Sequence, residues 1–184
     1  MDQLTLTSAR YRLQLETGPS LKKFAEEYLA GGHDESAVVR LAILDDDGLA
    51  DVGPAFEVAC RQLDHPIPTL GDAVRIAAAG ALSGIVSGKT EPHAGLRELR
   101  AIYERVWPLE KPDPSVPEQA KTLGGEFGFS ELLGAYYGYD DLLERPTEVS
   151  FQGKFGAEAL EALDGFVVAK ASEWLKSGHN PHRD

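Results

Sequence analysis

The chain has 184 residues and a formal net charge of −12, from 18 Lys and Arg against 30 Asp and Glu. This acidic balance argues against binding to DNA, RNA or anionic lipid and favours a basic protein partner. Cys60 is the single cysteine, which excludes an intramolecular disulfide and a thiolate metal cluster. The N-terminus lacks the pattern of a secretory leader, and no apolar run is long enough to cross a bilayer, so we expect a cytoplasmic protein.

Two short alternating runs open the chain, at residues 4–6 and 11–15, and they predict a small hairpin or an extended arm. Pro19 then marks the start of a helix through residue 30, which Gly31 ends. Asp34 is placed to cap a further helix that runs to about residue 44.

The next feature is a run of three adjacent carboxylates: Asp45, Asp46 and Asp47. A calcium-binding loop is one alternative, with Gly48 at its sixth position. The first and twelfth positions, which need oxygen ligands from their side chains, would then be Ile43 and Pro54, so the motif does not fit. A magnesium site for phosphoryl chemistry is a second alternative. A solvated turn explains the run better, and it also offers a docking point for Lys or Arg of a partner.

Three further helices are predicted before residue 107. Asp51 and Pro54 begin one that runs to about residue 63. Residues 69–107 predict two more, and these form the centre of the fold. Thr69 can cap the first, which is rich in alanine and suits the most enclosed position of a bundle, and Pro92 fits the first turn of the second.

The string SGIVSGKT, residues 83–90, partly matches a phosphate-binding loop. Gly88, Lys89 and Thr90 match, but Ser83 stands where the first glycine belongs, and a helical pattern precedes the string where a strand is needed. The pattern therefore favours a helix end. The alternative is a nucleotide- or phosphate-handling enzyme that uses Lys89, Thr90 and the three aspartates.

The rest of the chain predicts a proline-rich loop, a helix capped by Ser130, a short strand, an amphipathic helix and a flexible tail, in this order: residues 108–117, 131–137, 147–151, 157–176 and 179–184. Residues 125–148 combine aromatic rings with carboxylates, which predicts a protein-binding surface. Its expected contact residues, joined by Asp45, Asp46 and Asp47, are Tyr136, Tyr137, Tyr139, Asp140 and Asp141. The alternative is that the rings fill the core while the acids face water.

Motifs for catalysis, metal binding or cofactor binding are missing from the sequence. The histidines are scattered, with no HExxH pair, and no GxSxG elbow is present. His93, with Glu91 and Arg97, is the one grouping that suggests a site, and a first-turn histidine that caps its helix explains it better. We therefore expect no catalytic residue, no metal and no cofactor.

Together these elements predict a mainly α, single-domain helical bundle of about six to eight helices over residues 1–178, with a minor N-terminal hairpin or strand. The run ALSGIVSGKTEPHAGLRELRAIYERV, residues 81–106, resembles small acidic all-helical bacterial proteins of the immunity type. That resemblance implies a cytoplasmic inhibitor that covers the active site of a toxin, and the net charge of −12 favours a basic one. The leading hypothesis is therefore a non-enzymatic protein-binding module, and a helical homo-oligomeric scaffold is a further alternative.

Overall fold

The computed structural model describes residues 1–45, 47–106 and 127–177. Within these ranges the chain forms eight helices and one small antiparallel sheet, so the prediction of a mainly α fold is confirmed. The helices, labelled α1 to α8 in chain order, are Gln3–Arg12, Gly18–Ala30, Ser36–Ala42, Leu49–Gln62, Leu70–Val86, Pro92–Val106, Ser130–Glu144 and Gly156–Lys176. The strands, β1 and β2, are Ser150–Phe151 and Lys154–Phe155.

The chain divides into two compact units, Met1–Val74 and Arg75–Asp184, and the boundary falls within α5. The single domain that the sequence predicts for residues 1–178 stays a prediction. The predicted loop at 108–117 and the predicted tail at 179–184 lie outside the described residues.

The prediction of an N-terminal hairpin or extended arm is wrong, because residues 3–12 form the helix α1. Asp2 caps this helix by accepting a hydrogen bond from the backbone N–H of Thr5, at 2.8 Å. Leu4 and Tyr11, seven residues apart, then pack on the core of the first unit from one side of the helix. Leu4 and Tyr11, which belong to the two alternating runs, therefore lie on one face of a helix and not on two strands.

The core of the first unit lies between α2, α3 and α4, which pack on one another. Thr17 and Ser20 form a reciprocal capping box at the start of α2. The rings of Phe24 and Phe56 meet edge to face at 5.9 Å in the middle of this core. Its other buried members are Leu21, Ala25, Val38, Leu41, Val52, Ala59 and Cys60.

Two helix starts differ from the prediction in this unit. Glu35, not Asp34, is the N-cap residue of α3, and it makes no side-chain capping bond. This helix also ends at Ala42, short of residue 44. Helix α4 begins at Leu49, so Pro54 lies inside it.

The second unit is built around α6, α7 and α8, which pack on one another. Gly95 lets α6 approach α5 closely, because a Cβ at this position would lie 2.4 Å from Cγ1 of Ile85. The buried side chains of α6, α7 and α8 include Leu96, Leu99, Ile102, Leu132, Leu133, Leu142, Leu163 and Val167.

A tight hairpin precedes α8. The sequence predicted one strand within residues 147–151, and the structure shows β1 there with β2 as its antiparallel partner. The two residues between them, Gln152 and Gly153, both have positive φ angles, of 52° and 76°, as a two-residue turn of this type requires. Helix α8 follows at once and spans the range predicted for the last amphipathic helix, with one more residue at its start.

Candidate functional site

One face of α7 carries an exposed aromatic ring among carboxylates. Tyr137 is 45% exposed, and Asp140, Asp141 and Glu144 follow it at three, four and seven residues. These spacings place the four side chains on one side of a helix. We refer to these four residues as the acidic face of α7. The opposite side of the helix is buried through Leu132, Leu133, Ala135, Tyr136, Tyr139 and Leu142.

The other two predicted contact tyrosines lie beneath this face. Tyr136 is 8% exposed and Tyr139 only 3%. The hydroxyl of Tyr139 donates a hydrogen bond to the carboxylate of Asp164 on α8. Burial raises the pKa of Tyr139, and the hydrogen bond to Asp164 raises it further. Tyr139 is therefore a neutral donor that helps to hold α7 in place, and it offers little area to a partner.

Arg100 of α6 borders the acidic face. Its guanidinium lies 5.0 Å from the ring centroid of Tyr136 and 5.7 Å from that of Tyr137. It also donates to the hydroxyl of Tyr136 at 3.0 Å and to the carboxylate of Glu104 at 2.7 Å. These four contacts hold the Arg100 side chain in place, and Arg100 in turn restrains the rings of Tyr136 and Tyr137.

His93, at the start of α6, lies against the same helix. Its ring stacks on Tyr139 at a centroid distance of 4.7 Å and an interplanar angle of 16°. Its Nε2 atom lies 3.7 Å from Oδ1 of Asp140. The sequence singled out His93 through Glu91 and Arg97, but its neighbours in the structure are aromatic rings and a carboxylate of α7.

The predicted aspartates of residues 45–47 belong to the first unit. Asp47 forms an ion pair of 2.7 Å with Lys22, whose Nζ also donates to the carbonyl of Leu44 at 2.6 Å. Asp45 is exposed, and Asp46 lies outside the described residues. The ion pair with Lys22 compensates one negative charge of this run, and no local sequence pattern links Lys22 to Asp47.

The string at residues 83–90 closes α5. This helix continues to Val86, and Gly88 takes a positive φ of 70° just after it. The backbone N–H groups of Lys89 and Thr90 both donate to the carbonyl of Gly84, at 3.0 and 3.1 Å. A phosphate-binding loop needs such donors to point at the ligand after a strand, and here they complete a helix end.

Two further features of the first unit were not predicted. Ser8 Oγ lies 3.2 Å from Nε2 of His65, but Ser8 has no exposed surface, so no substrate reaches its hydroxyl. A groove of about 760 Å³ lies beside Tyr11, whose hydroxyl donates to the carboxylate of Glu57 at 2.9 Å. Burial and this bond raise the pKa of Tyr11 to about 12.

The part of the chain that the structure describes also bears on metal binding and on membrane insertion. It contains no group of three or more His, Cys, Asp or Glu side chains that could hold a metal ion. None of its helices combines the length and apolarity that a membrane span requires. No family model, curated protein or solved structure matches the chain.

Proposed function

We propose that the chain is a non-enzymatic, acidic protein-binding module of the immunity or antitoxin type, which neutralises a basic toxin or effector domain by covering it. The acidic face of α7 is its proposed contact surface. The observation that carries the proposal is that Tyr137 stands exposed on a helix with carboxylates at three, four and seven residues beyond it. Asp45 of the first unit is a further exposed carboxylate, whereas Asp47 is already paired with Lys22.

The chemistry of this face suits a cationic partner. A tyrosine ring supplies a large contact area at small entropic cost, and ionised carboxylates accept hydrogen bonds from Lys and Arg. Asp140 is half-exposed and Glu144 is exposed, and the exposed Asp141 also accepts a hydrogen bond from Arg145 at 2.5 Å. The net charge of −12 adds a long-range field that steers a basic protein toward the chain and raises the association rate.

The packing beneath the face supports the proposal as well. Tyr136 and Tyr139 are fixed by Arg100 and Asp164, so α7 is held before any partner arrives. A preorganised surface loses less conformational entropy when it binds, and a larger part of the contact energy remains as affinity. An inhibitor has to remain bound to its toxin, so it needs a slow dissociation rate. Differences in affinity between related complexes lie mainly in this rate.

The test is a paired charge reversal. The protein encoded beside this gene, or the basic protein recovered from the source lysate, serves as the partner in a binding assay and in a growth-rescue assay. Asp140→Lys with Asp141→Lys is expected to weaken binding by at least about tenfold and to abolish rescue.

The matched control is Glu26→Lys with Asp34→Lys, which makes the same change of net charge at exposed positions of the first unit. Circular dichroism checks that both variants keep the helical fold. Equal affinities of the two variants would remove the acidic face of α7 as the contact surface.

A further inference from the structure

The Nε2 atom of His93 is a buried polar atom without a hydrogen-bond partner among the described residues. It faces Oδ1 of Asp140 at 3.7 Å, which is too long for a hydrogen bond and within the range of an ion pair. The ring cannot turn away freely, because it stacks on Tyr139 and lies 5.6 Å from the ring of Tyr136. A buried polar atom left in this state needs an explanation.

Protonation of His93 would explain why its Nε2 atom has no hydrogen-bond partner. A neutral imidazole offers Asp140 at most a dipole, whereas an imidazolium carries a full positive charge and a donor on each nitrogen. A small rotation of the Asp140 side chain, which is half-exposed, then closes the gap to a charge-assisted hydrogen bond. Histidine is the side chain best suited to gain a proton under mild conditions, so the state of this contact depends on whether His93 is protonated.

The groups around His93 leave Asp140 as its charged partner. Tyr136 and Tyr139 face it from α7 as neutral phenols, and Asp164 of α8 accepts the hydroxyl of Tyr139. On its own segment the charged neighbours are Glu91, which precedes α6, and Arg97, one turn along it, while Arg100 lies over the far ring of Tyr136. Of the carboxylates named here, Asp140 is the one that forms a close contact with the imidazole, at 3.7 Å.

We propose that His93 makes partner binding sensitive to acid: when the imidazole is protonated it draws Asp140 into an internal ion pair and withdraws this carboxylate from the acidic face of α7. The inference rests on the proposed function, because it concerns the same face and a cationic partner. Affinity is full while His93 is neutral and falls when His93 is protonated, because Asp140 is then held in the internal pair.

The experiment uses the full chain and a short fluorescent oligo-arginine peptide as the probe, with binding measured by anisotropy at about pH 8 and about pH 5.5. We expect binding to be about fivefold weaker at the acid pH. His93→Gln, which stays neutral, is expected to bring the ratio of the two affinities close to one. His33→Gln is the control: His33 also stacks on a tyrosine, Tyr28, and lies 3.9 Å from Glu35, but in the first unit, and the ratio is expected to stay about fivefold.

A second measurement follows the free protein by NMR between the same pH values. The side-chain carboxyl resonance of Asp140 is expected to move together with the ring resonances of His93. Peptide binding that is equal at both pH values would overturn the acid switch and leave the proposed surface standing. Absence of binding at both pH values would overturn both, and an Asp140 resonance that ignores His93 would overturn the internal pair.

Discussion

The hydroxyl of Tyr139 on α7 donates a hydrogen bond to the carboxylate of Asp164 on α8. Tyr139 is buried, and the next residue, Asp140, belongs to the acidic face of α7. The bond therefore ties α7 to α8 within the span of the proposed contact surface, between Tyr137 and Asp140. A residue outside the surface thus determines the direction in which the surface residues point.

Removing the Tyr139 hydroxyl tests this relationship. Tyr139→Phe is expected to lower the free energy of unfolding by about 1–2 kcal/mol, because the partly buried Asp164 loses its donor. Tyr137→Phe is the control, since Tyr137 is exposed and its hydroxyl makes no hydrogen bond with the described residues; its effect is expected to stay within about 0.5 kcal/mol. Urea unfolding measures both changes, and equal values for the two variants would show that the bond adds no stability.

Alkaline pH provides an independent test of the same bond. The pKa of Tyr139 is raised in the folded state, chiefly by burial and then by Asp164, so the folded protein holds this proton more tightly than the unfolded chain. The contribution of Tyr139 to stability is therefore complete below about pH 10, where an unfolded tyrosine ionises, and is lost as the pH rises further. Urea unfolding at about pH 9 and about pH 11 should show a smaller loss for Tyr139→Phe than for the wild type. Identical losses would contradict the raised pKa.

Two glycines of the second unit should respond in opposite ways to alanine. A Cβ at Gly95 would lie 2.4 Å from Cγ1 of Ile85, whereas a Cβ at Gly134 meets nothing within 4 Å. Gly95→Ala is expected to destabilise the fold by about 1–3 kcal/mol through overpacking. Gly134→Ala, in the exposed middle of α7, is expected to stabilise it by about 0.5–1 kcal/mol, because alanine loses less backbone entropy in a helix. Thermal unfolding of the two variants side by side gives the signs, and a stabilising Gly95→Ala would refute the close approach of α5 and α6.

The helices α5 and α6, which the sequence predicts well, each have a local signal at their first turn. Thr69 accepts a hydrogen bond from the backbone N–H of Asp72, as expected of a cap, and Pro92 opens α6. Helix α1 was missed although Asp2 is a good cap, because the short alternating runs after it resemble a strand as much as one face of a helix. Periodicity over so few residues does not separate the two structures.

The candidate site was only partly visible in the sequence for a different reason. Composition brought Tyr136, Tyr137 and Tyr139 together with Asp140 and Asp141, but it does not say which ring is exposed. That depends on contacts from other helices, such as those of Arg100 and His93 with the rings of α7. Contacts between residues far apart in the chain leave no local pattern, so the sequence offers burial of the rings as an alternative but does not say that Tyr136 and Tyr139 are the two buried ones.

Nucleotide binding at residues 83–90 can be tested directly. The N–H groups of Lys89 and Thr90 already donate to the carbonyl of Gly84, so we expect ATP with magnesium, at about 1 mM each, to leave the melting temperature unchanged. Lys89→Ala should behave like the wild type in the same assay. A rise of the melting temperature that Lys89→Ala removes would instead favour the phosphate-handling alternative.

The acidic face should show two separable contributions to the binding of an oligo-arginine peptide. Tyr137 contributes ring area and a cation–π contact, which salt screens weakly, whereas Asp141 contributes charge at the surface, which salt screens strongly. Tyr137→Ala is therefore expected to weaken binding by about tenfold at both low and high salt. Asp141→Asn should weaken it by about threefold at low salt and hardly at all near 1 M salt. Phe155→Ala is the control for loss of an exposed ring, because Phe155 is 52% exposed and lies outside α7. If Phe155→Ala weakens binding as much as Tyr137→Ala, the peptide binds exposed aromatic rings in general. That result would contradict the acidic face of α7 as the specific contact surface.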